Sequence, residues 1–250
     1  MINKVVSNSK QKSAKFYGSK EGYDADVMID SKAMLSKEDF VATGVLTYAL
    51  GDIIEVELPE YHVFALGDKC KMTVYTKSGL FVMDTVVVAK EQGSLIVLNP
   101  PENRRKFTEK REFPRVDVKN EGLLFALQDR NKKLKHHFDT PIRFSIKNLS
   151  INGLGFTISE NAMLEKVIQK NSQLEVELIL GFLVPCTMEI VRQEKTNDGY
   201  YYGASFVSIP DEKTNALRGF ILKNQIETYF VQKRENETKK ALEKKSAANQ

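Results

Sequence analysis

Cysteine is nearly absent from this chain. Cys70 and Cys186 lie far apart and offer neither a metal-ligand spacing nor a disulfide framework. Such sparing use suits a reducing compartment and predicts a cytoplasmic protein. Histidine is almost as scarce, and His62, His136 and His137 show no spacing with carboxylates or cysteines that would hold a metal. Charge of one sign is lacking too: over 250 residues the formal net charge is +4, short of the basic footprint of a protein that coats nucleic acid. Long apolar runs are missing. The richest, LFVMDTVVVA, is interrupted by Asp84 and too short to span a bilayer, and the opening MINKVVSNSKQKSAKF lacks the apolar stretch of a signal peptide. Neither a nucleophile motif nor a phosphate-binding glycine loop of the P-loop type occurs. These absences predict a non-enzymatic chain with no metal, no cofactor, no nucleic-acid partner and no membrane insertion.

What is present is β pattern. Hydrophobic content of 42% against 28% charged is enough for a packed core. Residues 1–39 read as a mobile segment that ends in a possible first element. From there, DIIEVELPE alternates Ile54, Val56 and Leu58, CKMTVYT alternates Cys70, Met72 and Val74, and the turns KSG and EQG separate further strands. This predicts a small β-barrel, split-barrel-like, over 40–103, closed off by the prolines of NPPEN. A basic connector, 104–115, follows. GLLFALQ, PIRFSIKNLS, GLGFTIS, QLEVELIL, VPCTMEIVRQE and YYYGASFVSI then predict a second β-barrel over 116–232, with a short helix over 161–171 carrying Met163, Leu164, Val167 and Ile168 on one face. Asp211 starts an amphipathic helix with Leu217, Phe220, Ile221 and Tyr229 at helical spacing. Residues 233–250 are charged without an apolar stripe and read as a tail or a helical extension. The fold class expected is mainly β: two small barrels in tandem and a C-terminal helix.

Two stretches carry candidate chemistry. KREFPRVDVKN sets Arg111 and Arg115 on an extended segment that Pro114 keeps out of a helix. Arginine offers a planar fork of donors for phosphates or purine edges, although two arginines alone also fit a solvated linker. IKNLSINGLGF sets Asn148, Ser150 and Gly153 in an N-x-S-x-x-G pattern where one strand gives way to the next. An asparagine oxygen can accept from the donor edge of guanine and a serine hydroxyl can donate to a phosphate. Gly153 and Gly155 permit torsions closed to other residues and close approach of a ligand. An ordinary Asx or serine turn fits the same residues. Tyr200, Tyr201 and Tyr202 read as a base-stacking platform or as a strand half in the core and half on the surface.

Taken together, R-x-x-x-R at Arg111 and Arg115 followed by N-x-S-x-x-G at Asn148, Ser150 and Gly153 resembles the PilZ domain family, over about residues 104–232. The order of the modules also resembles the two-domain, flagellar-brake type of that family. The resemblance implies a six-stranded barrel that binds the second messenger cyclic di-GMP, often as an intercalated dimer. By it, Arg111, Arg115, Asn148, Ser150 and Gly153 are ligand residues, with Lys110, Arg104 and Arg105 beside them. Many relatives carry arginine where this chain has Lys110, which keeps the charge but loses the planar fork. The implied output is motility, through a flagellar motor or stator partner, with ligand binding coupled to an interdomain change. Regulation of exopolysaccharide and biofilm output is the alternative, and a basic RNA-binding β protein using Arg104–Arg115 is the alternative of another class.

Overall fold

Alternation of apolar and polar residues sets the strands of the first unit. The computed structural model describes residues 15–18, 28–77, 79–91, 93–100, 113–129, 135–158, 164, 167–196 and 199–248. The chain divides into two units, Met1–Glu112 and Phe113–Gln250. The first contains β1 (Lys15–Gly18), β2 (Lys32–Lys37), β3 (Phe40–Leu50), β4 (Ile53–Glu57), β5 (Lys69–Thr76), β6 (Gly79–Glu91) and β7 (Ser94–Leu98). Six of these pair in the order β6-β5-β2-β3-β4-β7, and a β6–β7 ladder closes the ring. The 13 residues of β6 serve both edges: Gly79–Val82 pair with β1, while Val87–Glu91 pair with β7. Inward side chains such as Leu35, Leu46, Val56, Met72, Phe81 and Leu95 fill the interior.

The expected start of this barrel near residue 40 is corrected. β2 lies between β3 and β5, buries Ala33 and Leu35, and Met28 joins the same core. Lysines at both ends of β2 and only two inward apolar positions leave too weak an alternation to be read in sequence.

Lys37, at the end of β2, donates to Asp68 Oδ2 at 2.6 Å, and the Ala65 amide donates to the same oxygen at 2.7 Å. The Lys37 hydrogen bond, then the Ala65 amide, hold the Asp68 carboxyl below its usual range. A depressed carboxyl stabilises the fold above its unfolded pKa and loses that effect as the solution turns acid. Asp68→Asn is therefore expected to lower the melting temperature at about pH 7, with the gap to wild type closing below about pH 4. Thermal melts across that range check it; a gap independent of pH would assign the effect to the turn geometry alone.

The second unit contains β8 (Val116–Gln128), β9 (Lys135–Ser150), β10 (Gly153–Ile158), β11 (Gln173–Ile179), β12 (Leu183–Thr196), β13 (Gly199–Ser208) and the helix α1 (Asp211–Ala248). The strands close an antiparallel barrel in the order β10-β13-β12-β11-β8-β9. Phe156 anchors its core, 5.0 Å from Phe144 and stacked on Tyr202 at 5.2 Å. Cys186 is buried in this barrel, which pushes its thiol up to about 12. Within the short helix expected over 161–171, Leu164 and Val167 are helical and the Ile168 amide donates to the Leu164 carbonyl at 2.8 Å. Leu164 and Ile168 enter the core, whereas Val167 is 39% exposed and does not share their face. Leu217 and Ile221 of α1 pack into the barrel core, and Phe220 meets Phe182 edge-on at 6.2 Å. The charged stretch from 233, read as a tail or an extension, is helical through Ala248. Its lysines, glutamates and alanines are strong helix formers, which carry the helix past its last core contact. No helix among the described residues is long and apolar enough to cross a membrane.

Candidate functional site

Five outer-face positions of the second barrel fall in one row across neighbouring strands. Asp117 of β8 pairs with Asn148 of β9, Asn148 with Gly155 of β10, Gly155 with Gly203 of β13, and Gly203 with Arg192 of β12. Two irregularities aim this row outward. The β9 pairings jump from Ile146 to Asn148, which makes Lys147 an extra residue; the β12 pairings jump from Ile190 to Arg192, which does the same for Val191. Ile146 and Ile190 are buried. Strict alternation would send Asn148 and Arg192 into the core behind them, and one extra residue in each strand turns them to the outside instead.

The side chains along the row touch. Asn148 Nδ2 donates to the Tyr201 hydroxyl at 2.9 Å. The Arg192 guanidinium lies over the Tyr201 ring, 5.2 Å from its centre, and pairs with Glu194 at 3.0 Å. Gly155 has no side chain because a Cβ there would collide with the Tyr201 hydroxyl, and one at Gly203 would stand 2.7 Å from Arg192 Cγ. The two paired glycines thus make room for the Tyr201 hydroxyl and the Arg192 side chain, which lie over them.

Arg115 stands at the mouth of β8. It directly precedes Val116, the partner of Leu149, and like Asp117 it is exposed while Val116 and Val118 are buried. It therefore shares the outer face of Asn148. Arg115 has no hydrogen bond or ion pair among the described residues. Arg104, Arg105, Lys110 and Arg111 lie outside the described residues, so the structure bears on one arginine of the R-x-x-x-R pair.

Ser150 and Gly153 shape the loop. Ser150 is buried, and its hydroxyl, expected to donate to a phosphate, donates to the Gly153 carbonyl at 3.1 Å. This closes the Ser150–Gly153 turn, with Phe206 N donating to the Asn152 carbonyl at 2.8 Å. The torsion reading of Gly153 and Gly155 is corrected: neither has a positive φ. Close approach is what they supply. A Cβ on Gly153 would run into the Ala204 carbonyl oxygen of β13.

Sequence reasoning does not single out Arg192 or Gly203, and it offers Tyr201 only within the tyrosine run. The tyrosine run splits as one of its two readings required, with Tyr202 in the core and Tyr201 outside. Among the described residues no group of three or more His, Cys, Asp or Glu could hold a metal ion. A separate groove of about 560 Å³ is lined by Phe125, Glu175, Glu177, Pro185, Thr187 and Ile209 among others, with no cation in its wall, so it does not suit an anion. The Asn148 row and the adjoining Arg115, by contrast, present two guanidinium groups, an amide and a phenol beside the carboxylates of Asp117 and Glu194, and the guanidinium, amide and phenol groups are equipment for purine edges and phosphates.

A small antiparallel barrel with a polar, glycine-floored row on its outer surface is the class that this geometry defines. Residues 109–223 match the family model of the PilZ domain, and this part of the chain is a PilZ domain. No curated protein matches the sequence. Among solved structures, the chain is similar to the Bacillus subtilis inhibitor of motility MotI/DgrA at 13% identity and a TM-score of 0.39, covering 80% of this chain and 98% of that one. It is similar to Escherichia coli YcgR in complex with c-di-GMP at 13% identity and a TM-score of 0.38, covering 82% and 88%. Borreliella burgdorferi PlzA in complex with c-di-GMP matches at 12% identity and a TM-score of 0.32, covering 84% and 94%.

Proposed function

We propose that this protein is a cytoplasmic, non-enzymatic receptor for cyclic di-GMP. The reading rests above all on one observation: in a PilZ barrel, Arg115 and the Asn148 row lie on one outer face, with the Arg115 guanidinium unpaired and the Asn148 oxygen unbonded among the described residues. In this reading Arg111 and Arg115 take phosphates and purine edges, and Asn148 accepts from the guanine donor edge. Ser150 and Gly153 hold the loop, and Lys110, Arg104 and Arg105 add positive charge. Binding alters the relation between the two units and so controls a protein partner, a component of the flagellar motor or its stator.

Isothermal titration with cyclic di-GMP beside cyclic di-AMP, GMP and GTP tests the reading. Cyclic di-GMP is expected to bind tightest and cyclic di-AMP far more weakly, because adenine leaves the site's polar groups unpaired. Equal affinity for all four, falling steeply with salt, would instead indicate a surface that reads phosphate charge alone. One fluorescent label on each unit, followed through the same titration, should report a distance change, and a constant signal at saturation would remove the interdomain step.

A further inference from the structure

Phe125 is a phenylalanine on the outside of the second barrel. The β11 pairings jump from Ala126 to Leu124 between Glu175 and Val176, so Phe125 is an extra residue that stands out from the ladder, 39% exposed while both neighbours are buried. Its ring lines the groove of about 560 Å³, whose apolar wall continues through Pro185 and Ile209. Leu183, 49% exposed, extends that surface two residues before Pro185 on the same strand. Contiguous exposed apolar surface of this kind marks a place where another molecule binds. Two carboxylates are set into it, and no lysine or arginine lines it. Glu175 is engaged by Lys135 at 2.6 Å. Glu177 is half-buried and makes no hydrogen bond or ion pair among the described residues, so a cation brought by a partner would find it unpaired. Pro185 pairs with Glu177 across β11 and β12 and has no N–H to offer a further strand, which leaves side chains as the means of grip.

We propose that this groove is a docking site for a basic segment of another protein: an aromatic or aliphatic side chain of the segment lies against Phe125 and Pro185, and an adjacent lysine or arginine pairs with Glu177. The inference rests on the reading above only for the existence of a protein partner. None of the groove's residues belongs to the Asn148 row, so docking does not require the nucleotide.

Selection of short random peptides displayed on phage against the full chain tests this, with the enriched peptides then synthesised, labelled and titrated by fluorescence anisotropy. The enriched peptides are expected to combine Lys or Arg with Phe, Leu, Ile or Met. Phe125→Ser and Glu177→Lys should each weaken their binding at least about 10-fold, as for a residue at the centre of an interface. A peptide whose basic residues are exchanged for glutamate should bind Glu177→Lys better than it binds wild type. Both variants should melt as wild type does and keep its affinity for cyclic di-GMP, and Glu177→Lys alone carries the test if Phe125→Ser loses stability. Enrichment of acidic peptides, of no peptide, or of peptides that bind Glu177→Lys as they bind wild type would overturn the inference. Self-association of the wild type that Phe125→Ser abolishes would overturn it too, by giving the groove to a second copy. Wild-type protein that binds these peptides in the groove but does not bind cyclic di-GMP would end the receptor reading and still support the docking site.

Discussion

Arg115→Ala is expected to bind cyclic di-GMP at least about 30-fold more weakly than wild type while melting at the same temperature. Truncating one partner of a desolvated, hydrogen-bonded charge pair costs roughly 2–5 kcal/mol, much of it from the group left unpaired. The fold should not notice, because Arg115 is exposed, makes no hydrogen bond or ion pair among the described residues, and precedes the first paired residue of β8. Surface substitutions of that kind usually change stability by less than about 0.5 kcal/mol. Arg115→Lys separates charge from geometry. It keeps the cation but not the planar fork, so an intermediate loss is expected. Titration calorimetry and thermal melts on the same preparations give both readouts, and wild-type affinity in a folded Arg115→Ala protein would remove Arg115 from the site.

Gly153→Ala is expected to fail in the other direction, through the fold. The added Cβ would enter the space of the Ala204 carbonyl oxygen and come within 3.0 Å of Ser205 Cα. Both are backbone atoms of β13, whose pairing with β10 is set at Gly153↔Ser205. Backbone in a closed ladder cannot swing aside as a side chain can. Strand β10 must move away from β13 or lose its first pairs, at a cost of about 1–3 kcal/mol for an overpacked site. The turn that Ser150 closes onto the Gly153 carbonyl moves with it, and with that turn the mounting of Asn148. Reduced stability in denaturant and loss of ligand binding should therefore appear together. Gly155→Ala is the contrast: its Cβ meets the far ends of the Tyr201 and Asn148 side chains, which can swing out, so stability should hold while cyclic di-GMP binds more weakly. Wild-type stability in Gly153→Ala would show that the β10–β13 ladder relaxes more freely than its pairing implies.

Most strands of both barrels are legible because one face of each is buried, and burial writes a period of two into the residues. Strand β2 escapes that rule because lysines end it and only Ala33 and Leu35 mark its inner face. The extent of α1 was open between tail and helix because the charged stretch from 233 has no apolar stripe, and helix propensity decides it without packing. The family motif was legible for a different reason: R-x-x-x-R and N-x-S-x-x-G are each local, and their spacing survives in the linear order.

Local order by itself determined the two-barrel class, the closing helix and the candidate loop from Asn148 to Gly153. Only the tertiary structure decided which residues stand beside that candidate loop. Tyr201 reaches Asn148 across the barrel wall although the two are 53 positions apart, and Arg192 joins them from a third strand. That meeting depends on which strands pair and in what register, which no residue's own neighbours specify. It depends equally on Lys147 and Val191, the extra residues that reverse the facing of Asn148 and Arg192. A strand read by strict alternation buries both side chains; the ladder, by slipping one residue at each place, brings them to the surface side by side.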